Sequence, residues 1–316
     1  TSGKEKRVFF TEEDLEQTVE FFLYGMRSLC DETDRVLVLL PGDSYGSIGA
    51  LLKTALEKAH IECFIHGFIT EVEETANEII KNNITCIVGI PAQLLELSRT
   101  KGEVFRNRIK SVLLSTDYVP EVLIRELTVN CGCRVFTHYG MTETGYGGGV
   151  ECEALNGYHL REAELLFEII DPETGKIVPD GQYGEVVVTT LTRMAMPLIR
   201  YRTGDIAAFS AEPCACDTFL KTMKRVKGRI NNRVKICENA YLYLAELEEI
   251  VLPFSEVLDY SAALLADGRL DIEIVAESVE AFEKIKDKIA ESVKKNVADK
   301  TGHEIDVLVR QSPRNE

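Results

Sequence analysis

Short apolar runs alternate with helix-like segments from residue 12 to residue 136, and this alternation constrains the fold more than any other feature. Residues 35–40 and 85–90 have the length and apolar content of buried strands, and each run is followed by a proline. Residues 12–30 carry apolar side chains at the three- and four-residue spacing of a helix. Strands that alternate with helices form a mostly parallel, doubly wound sheet. The sequence therefore predicts an α/β fold.

The pattern changes in the second half of the chain. Residues 157–160, 165–170 and 184–189 are β-rich runs with turn sequences between them. Such runs predict an antiparallel β sub-structure. From residue 230 onward, strand-like runs surround an amphipathic helical pattern at residues 279–298. We therefore expect a small C-terminal α+β domain after the antiparallel sub-structure.

Composition excludes several classes of protein. The formal net charge is −16, which argues against binding to nucleic acid or to an anionic membrane, because both need basic surface. No apolar run approaches the ~20 residues that span a bilayer. The nine cysteines occur without a secretory signal, which favours reduced thiols and a cytoplasmic location.

Two polar segments follow apolar runs. Residues 138–145, His-Tyr-Gly-Met-Thr-Glu-Thr-Gly, come directly after such a run, and residues 201–205 read Tyr-Arg-Thr-Gly-Asp. The carboxyl ends of the strands are where α/β sheets bind ligands. Glu143 can coordinate Mg²⁺ together with phosphate oxygens, because Mg²⁺ usually takes only one or two carboxylates. Asp205 can accept hydrogen bonds from two ribose hydroxyls.

These segments resemble the motifs of a known family. Tyr139-Gly140-Met141-Thr142-Glu143 is similar to the adenine- and magnesium-binding motif of the adenylate-forming acyl-CoA synthetase superfamily. Residues 191–205 resemble the phenylacetate–CoA ligase-like branch, and residues 227–232 resemble the hinge between its domains. Residues 1–11 resemble part of its phosphate-binding loop.

The resemblance implies a domain organisation and an activity. We expect a large AMP-binding domain over residues 1–229, without its N-terminal portion, and a small mobile domain over residues 230–316. The implied reaction is the ATP-dependent activation of a carboxylic acid, aromatic in this branch, to an acyl adenylate, followed by transfer to the thiol of coenzyme A. The implied partners are the acid, ATP and coenzyme A, and a homodimer is left open.

The resemblance also assigns roles to residues. Tyr139 stacks on adenine and Asp205 binds the ribose hydroxyls. The residues expected in catalysis are Thr142 at the α-phosphate, Glu143 at Mg²⁺, and Arg229 at the ribose or a phosphate. The other expected nucleotide-binding residues are Thr1, Ser2, Gly3 and Lys6 in the phosphate loop, Ser115, Thr116, Asp117 and His138 in the wall of the adenine pocket, and Gly140 and Met141.

Two departures from the family pattern leave the acceptor open. Family members have a catalytic lysine near the C-terminus; residues 309–316 resemble the approach to it, and Lys294, Lys295 and Lys300 are poor substitutes. Glu238 stands where relatives often have a glycine that lines the coenzyme A tunnel. An adenylating enzyme with another acceptor, such as a deazaflavin cofactor, therefore remains an alternative. So does a non-catalytic module that binds a nucleotide or an acyl group.

Two further features concern a metal and the acyl group. Cys152, His159, Cys214 and Cys216 supply three sulfurs and one nitrogen, the ligand set of a structural Zn²⁺ site, although each could instead be an ordinary loop or core residue. Residues 147–149 are three glycines near the expected carboxylate end of the acid. They give room for a flat aromatic acid, or form a flexible loop.

Overall fold

The structure is a computed structural model that describes residues 6–237 and 240–312. The chain divides into two compact units, with a boundary between Lys227 and Gly228, and the short segment Pro120–Leu123 groups with the second unit. The boundary expected at residues 229 and 230 stays a prediction, as does the mobility of the second unit. Within the described residues, no helix combines the length and the apolar character needed to cross a bilayer.

The first unit is built on a parallel sheet that confirms the predicted α/β alternation. Its strands are neighbours in the order β2-β1-β3-β4-β5. The chain passes from β1 to β2 on one side of the sheet and from β3 to β4 and β5 on the other, so the strand order reverses between β1 and β3. Open α/β sheets bind ligands at the carboxyl edge beside such a reversal. The elements are α1 (Glu12–Met26), β1 (Arg35–Val38), α2 (Ile48–Lys58), β2 (Glu62–Ile65), α3 (Val72–Lys81), β3 (Cys86–Gly89), α4 (Pro91–Thr100), β4 (Ser111–Leu114), α5 (Glu121–Arg125) and β5 (Arg134–Tyr139).

Helix α1 shows why these segments fold as they do. Thr11 caps it: its side chain accepts a hydrogen bond from the Asp14 backbone N–H, and Asp14 accepts one from the Thr11 N–H in return. Leu15, Val19 and Phe22 recur along one face and are buried against the sheet. This packing places Phe21, the residue directly before Phe22, over the ends of the central strands.

Antiparallel strands extend the same sheet beyond β5. They are β6 (Gly149–Glu151), β7 (Tyr158–Leu160) and, paired with β7, β11 (Thr222–Met223). A second antiparallel sheet contains β8 (Leu165–Ile170), β9 (Gly184–Thr190) and β10 (Tyr201–Ala207) as neighbours. The antiparallel sub-structure was thus predicted, but its first run, residues 157–160, pairs with the large sheet instead. Residues 201–205 form part of β10.

The second unit is a small α+β structure. Helix α7 buries Phe282, Ile285, Ile289 and Val293, so the predicted apolar face of residues 279–298 is its packed face. Strands β15 and β16 are antiparallel, and β16 and β17 are parallel. The elements are β12 (Gly228–Arg229), β13 (Arg233–Cys237), β14 (Ala240–Tyr243), α6 (Leu244–Val251), β15 (Val257–Leu264), β16 (Leu270–Ala276), α7 (Val279–Thr301) and β17 (Val307–Gln311).

Candidate active site

The loop after β5 folds back tightly on itself. The Tyr146 N–H donates to the Met141 carbonyl at 2.9 Å, and the Gly148 N–H donates to the Tyr139 carbonyl at 2.9 Å. A Cβ on Gly140 would lie 2.0 Å from the carbonyl oxygen of Tyr146, so only glycine fits there. The predicted Tyr-Gly turn is therefore a compact loop that holds the side chains after Gly140 at the carboxyl edge of the sheet.

Glu143 lies at the tip of this loop in a small polar cluster. The Tyr201 hydroxyl donates to its Oε1 at 2.9 Å, Lys6 Nζ lies 3.5 Å from the same oxygen, and Lys6 also donates to the Tyr201 hydroxyl at 3.0 Å. Arg193 donates to the backbone carbonyl of Glu143. Three parts of the chain that are far apart in sequence thus meet at Glu143, and two of their side chains, Lys6 and Tyr201, contact its carboxylate. The sequence predicted Lys6 and Glu143 as site residues, but it did not predict the contacts that Tyr201 and Arg193 make with Glu143.

The cluster keeps the Glu143 carboxylate ionised. Burial raises its pKa, but hydrogen bonds from backbone N–H and from Tyr201, together with the charge of Lys6, outweigh that effect and hold the pKa of Glu143 below its usual range. The hydrogen bond to Tyr201 is also the main reason why the pKa of Lys6 is raised. A carboxylate and an ammonium group therefore face the same small volume at neutral pH.

Tyr139 and Asp205 meet on the other side of β5. The Tyr139 hydroxyl donates to Asp205 Oδ2 at 2.9 Å, and both residues are buried. Asp205 reaches this position because the register of β10 against β9 shifts between Arg202 and Ile206, and the Asp205 N–H donates to the Thr203 hydroxyl inside that bulge. The two residues assigned to adenine and ribose are thus direct neighbours.

His138 faces away from Tyr139, because successive side chains on a strand point to opposite faces of the sheet. Its Nδ1 shares a hydrogen bond of 2.8 Å with the Ser115 hydroxyl. Both residues line an apolar pocket whose other walls include Phe21 and Phe22 of α1. Ser115 and His138 are predicted to line the adenine pocket, and that role stays a prediction; in the structure both line this apolar pocket.

The three glycines of residues 147–149 do not leave open space. A Cβ on Gly147 would meet the Phe21 ring at 2.4 Å, and one on Gly148 would meet the Tyr139 ring at 3.0 Å. A Cβ on Gly149 would meet Tyr158 at 2.9 Å. The side chains of Phe21, Tyr139 and Tyr158 therefore occupy the space beside these glycines.

The remaining residues to which the resemblance assigns a role lie on several different elements. Thr142, Thr116 and Asp117 are exposed, and Met141 is half-buried. Thr116 has a φ of +78°, the left-handed conformation of a tight turn after β4. Arg229 is exposed in β12 at the start of the second unit. Thr1, Ser2, Gly3 and Glu238 lie outside the described residues.

The cysteine and histidine residues assigned to a metal converge. Their ligand atoms, on Cys152, His159, Cys214 and Cys216, all lie within 4.8 Å of one another. The two sulfurs of Cys152 and Cys214 are 3.6 Å apart, and Cys216 Sγ lies 3.3 Å from His159 Nε2. Bonds of ~2.3 Å to sulfur and ~2.0 Å to nitrogen around a tetrahedral ion separate the ligand atoms by roughly 3.5–3.8 Å. The separations of these two pairs are close to those around a tetrahedral Zn²⁺ ion.

The surroundings of the four residues also suit a cation. Burial raises the pKa of the Cys152 thiol to about 11, so this sulfur becomes a thiolate at neutral pH only beside a positive charge. The pKa of Cys216 is lowered, chiefly by a hydrogen bond from the Thr218 backbone. His159 Nδ1 lies 3.3 Å from the Thr222 hydroxyl, which fixes the ring and leaves Nε2 toward the cysteines.

The doubly wound sheet with its antiparallel extension, together with the polar groups at its carboxyl edge, has the fold of the adenylate-forming ligases. The chain belongs to the AMP-binding enzyme family, whose family model matches residues 1–196, in the phenylacetate–CoA ligase-like branch.

Relatives in this branch are about one-third identical to the chain over the segments that align. The phenylacetate-coenzyme A ligase of Thermus thermophilus is 32% identical over 197 residues, which is 58% of this chain and 44% of the relative. The enzyme of the same name from Pseudomonas putida is 32% identical over 155 residues, 47% of this chain and 34% of the relative. The chain thus spans less than half the length of these relatives.

Solved structures show the same fold. A 2-hydroxyisobutyryl-CoA ligase in the postadenylation state superposes with a TM-score of 0.81, at 17% identity, over 97% of this chain and 68% of that one. O-succinylbenzoate coenzyme A synthetase from Bacillus subtilis, bound to its acyl-adenylate intermediate, gives a TM-score of 0.68 at 21% identity, over 99% of this chain and 64% of that one. At these identities the likeness establishes the fold.

Proposed function

We propose that the chain is the adenylating part of an ATP-dependent acid–thiol ligase. The observation that carries this proposal is the Glu143 cluster, in which an ionised carboxylate, Lys6 and Tyr201 meet at the carboxyl edge of the sheet. Membership of the AMP-binding enzyme family supports it. In the proposed reaction an oxygen of the substrate carboxylate attacks the α-phosphate of ATP, pyrophosphate leaves, and the acyl adenylate remains.

The described residues fit the groups that this reaction needs. Glu143 is one carboxylate on a rigid loop, which matches the way Mg²⁺ is held by one or two carboxylates together with phosphate oxygens. Lys6, beside it, offsets phosphate charge. Asp205 Oδ2 already accepts from Tyr139, and the carboxylate has further lone pairs for ribose hydroxyls. We propose that Thr142 contacts the α-phosphate, that Arg229 contacts the ribose or a phosphate, and that Tyr139 and Asp205 position the nucleoside.

Coenzyme A is the proposed acceptor, since the named relatives are coenzyme A ligases. An aromatic acid is the proposed substrate for the same reason. A thiol attacks the acyl adenylate readily because AMP is a good leaving group, whereas the free carboxylate would have to expel oxide. The cytoplasmic location expected from the reduced cysteines stays a prediction.

The proposal is tested by ATP–pyrophosphate exchange with the full-length gene product and a panel of aromatic and aliphatic acids. We expect exchange that depends on Mg²⁺ and is stimulated by one class of acid. Addition of coenzyme A should then yield the thioester, while another acceptor is indicated if the adenylate accumulates unchanged. A well-folded protein that binds ATP but exchanges with no acid would contradict the ligase proposal and favour the non-catalytic module.

We also propose that Cys152, His159, Cys214 and Cys216 hold one structural Zn²⁺ ion. The four residues come from β7, from the turn after β6 and from the loop before β11, so the ion would cross-link three segments that contain little regular structure. All four positions are taken by protein ligands, which is typical of structural rather than catalytic zinc sites. No step of the proposed reaction depends on this ion.

Replacing Cys214 with serine should abolish zinc binding and lower the melting temperature. Loss of the cross-link should cost several kcal/mol, and each kcal/mol is worth roughly 2–4 °C for a domain of this size. Zinc is measured by mass spectrometry and melting by circular dichroism. The matched control is Cys63→Ser, at a half-buried thiol in β2 away from the cluster. Stoichiometric zinc in the Cys214→Ser protein, or a native protein that melts normally without zinc, would contradict the proposal.

A further inference from the structure

The short turn of residues 142–145, here called the Glu143 turn, is held from outside at two of its backbone carbonyls. Arg193 donates through Nη1 to the carbonyl oxygen of Glu143. The fully buried Thr18 hydroxyl of α1 donates to the carbonyl oxygen of Gly145 at 2.9 Å, the closer of the two carbonyls within its reach. Neither donor belongs to the loop after β5, so the position of the turn depends on two distant parts of the chain.

The guanidinium group of Arg193 is closely packed against this turn. Its central carbon lies 4.8 Å from the centre of the Phe10 ring, which is the geometry of a cation–π contact. A Cβ on Gly145 would come within 2.8 Å of Arg193 Nη2, so the guanidinium group lies directly beside the backbone of the turn. The Phe10 ring also stacks on Tyr146, with the two centroids 6.1 Å apart. Arg193 is therefore fixed by an aromatic ring as well as by the turn.

The segment around Arg193 is itself attached to α1. The Thr192 hydroxyl donates to Gln17 Oε1 at 2.9 Å. On the other side of Arg193 in the sequence, the Met194 N–H donates to Asp14 Oδ1 at 3.4 Å. The first turns of α1 thus bind the segment that carries Arg193, and the same helix supplies the hydroxyl that binds the Glu143 turn.

Arg193 has no ion pair that would account for a charged side chain at this half-buried position. Within the described part of the chain, no carboxylate forms an ion pair with it. Burial lowers the pKa of Arg193, and the negative charge of Asp14 does not fully offset that effect. Desolvating a cation costs free energy, and the contacts that offset this cost are the Phe10 ring and the charge-assisted hydrogen bond to the Glu143 turn.

The carboxylate end of Glu143 is held less firmly than its backbone. Its partners there are Tyr201 and Lys6, and the Lys6 side chain is 58% exposed. Both partners would have to share the carboxylate with an incoming Mg²⁺ ion, which demands nearly ideal octahedral geometry. The backbone contacts from Arg193 and Thr18 are therefore the ones that can stay in place while the metal binds.

We propose that Arg193 is a positioning residue for Mg²⁺: together with Thr18 it fixes the Glu143 turn, so that the carboxylate is correctly placed before the metal and the nucleotide arrive. This inference rests on the proposed function, because it concerns the same metal-binding carboxylate. Arg193 contacts the backbone that carries the ligand and leaves the ligand atoms free. Its removal should therefore weaken the binding of Mg²⁺ and leave the chemical step intact.

Arg193→Met removes the charge and the donor but keeps a long side chain. We expect the Mg²⁺ concentration for half-maximal ATP–pyrophosphate exchange to rise by about tenfold to a hundredfold, the usual effect of removing a group that orients a metal ligand. The rate at saturating Mg²⁺ should stay nearly unchanged, because the lost contact serves the ground state and the transition state equally. Arg134→Met, in an exposed pair with Glu153, is the matched control and should need no additional Mg²⁺.

Thr18→Val tests the same turn from α1, and it decides if Arg193→Met does not fold. Valine keeps the branched shape of threonine and removes the hydroxyl that donates to Gly145. The Mg²⁺ requirement should rise in this variant too, whereas Thr54→Val, which removes an exposed hydroxyl bonded within α2, should not change it. Without Mg²⁺ or nucleotide, amide hydrogen exchange at residues 142–148 should be faster in Thr18→Val and Arg193→Met than in the parent protein.

The outcomes separate this inference from the proposed function. An unchanged Mg²⁺ requirement in Arg193→Met, or in Thr18→Val if only that variant folds, would overturn the inference and leave the ligase proposal standing. A loss of rate that saturating Mg²⁺ does not restore would also overturn it, because Arg193 would then act on the reacting groups. If no acid supports exchange, calorimetric titration of ATP at several Mg²⁺ concentrations decides: weaker Mg²⁺-dependent binding in the variants supports the inference, and equal binding overturns it.

Discussion

Replacing Glu143 with glutamine is expected to reduce ATP–pyrophosphate exchange by about two to three orders of magnitude, the usual cost of removing one group that stabilises developing charge. The amide oxygen can still accept from Tyr201, which donates at 2.9 Å, so the loop should keep its conformation. The substitution removes the negative charge that would hold Mg²⁺. Exchange is measured at saturating acid over a range of Mg²⁺ concentrations.

The matched control is Glu73→Gln, which also removes one carboxylate charge. Glu73 is exposed in α3, where it pairs with Lys101 on the surface. This variant should exchange at the normal rate. If Glu143→Gln retains full activity with an unchanged Mg²⁺ dependence, Glu143 does not hold the metal.

Replacing Arg225 with methionine is expected to lower the free energy of unfolding of the first unit by about 3–5 kcal/mol, the usual cost of leaving a buried charge without its partner. Glu151 is fully buried, and Arg225 binds its two carboxylate oxygens at 3.0 and 3.2 Å. The same carboxylate accepts from the backbone N–H of Thr137 in β5 and of Gly157 before β7. The variant removes the counter-charge while the carboxylate stays buried.

Arg134→Met is the comparison for this stability effect. Arg134 pairs with Glu153 at 3.2 Å, but both side chains are more than half exposed, and such surface pairs contribute about 0–1 kcal/mol. Urea unfolding followed by circular dichroism suits a chain that has no tryptophan. Equal midpoints for the two variants would show that the buried pair contributes no more than the surface pair.

The sequence was sufficient to predict the fold because the signals for it are local. Apolar runs, turn residues and helical spacing each extend over a few residues, and the predicted α/β alternation and the helix over residues 279–298 are observed. The Gly-Asp pair at residues 204 and 205 is typical of turns, although both residues lie in β10. The bulge in β10 that accommodates Gly204 depends on pairing with β9, which local composition does not reveal.

The candidate site was predictable only where a motif is contiguous. The motif at residues 139–143 could be read directly, whereas Arg193 and Tyr201 reach Glu143 from positions fifty or more residues later. The apolar pocket beside His138 could be anticipated in part. The two-residue period of a strand already places His138 and Tyr139 on opposite faces, but the position of Phe21 depends on how α1 packs on the sheet.

The opposite orientation of His138 and Tyr139 restricts how the sequence of β5 can change. Inserting or deleting a single residue in β5 would turn every later side chain of the strand to the other face, so the imidazole and the phenol would exchange sides. Such a change would break the Tyr139–Asp205 and the His138–Ser115 hydrogen bonds together. Two side-chain pairs on opposite faces of the sheet thus depend on the length of β5, and we expect variation at positions 138 and 139 to arise by substitution and not by insertion or deletion.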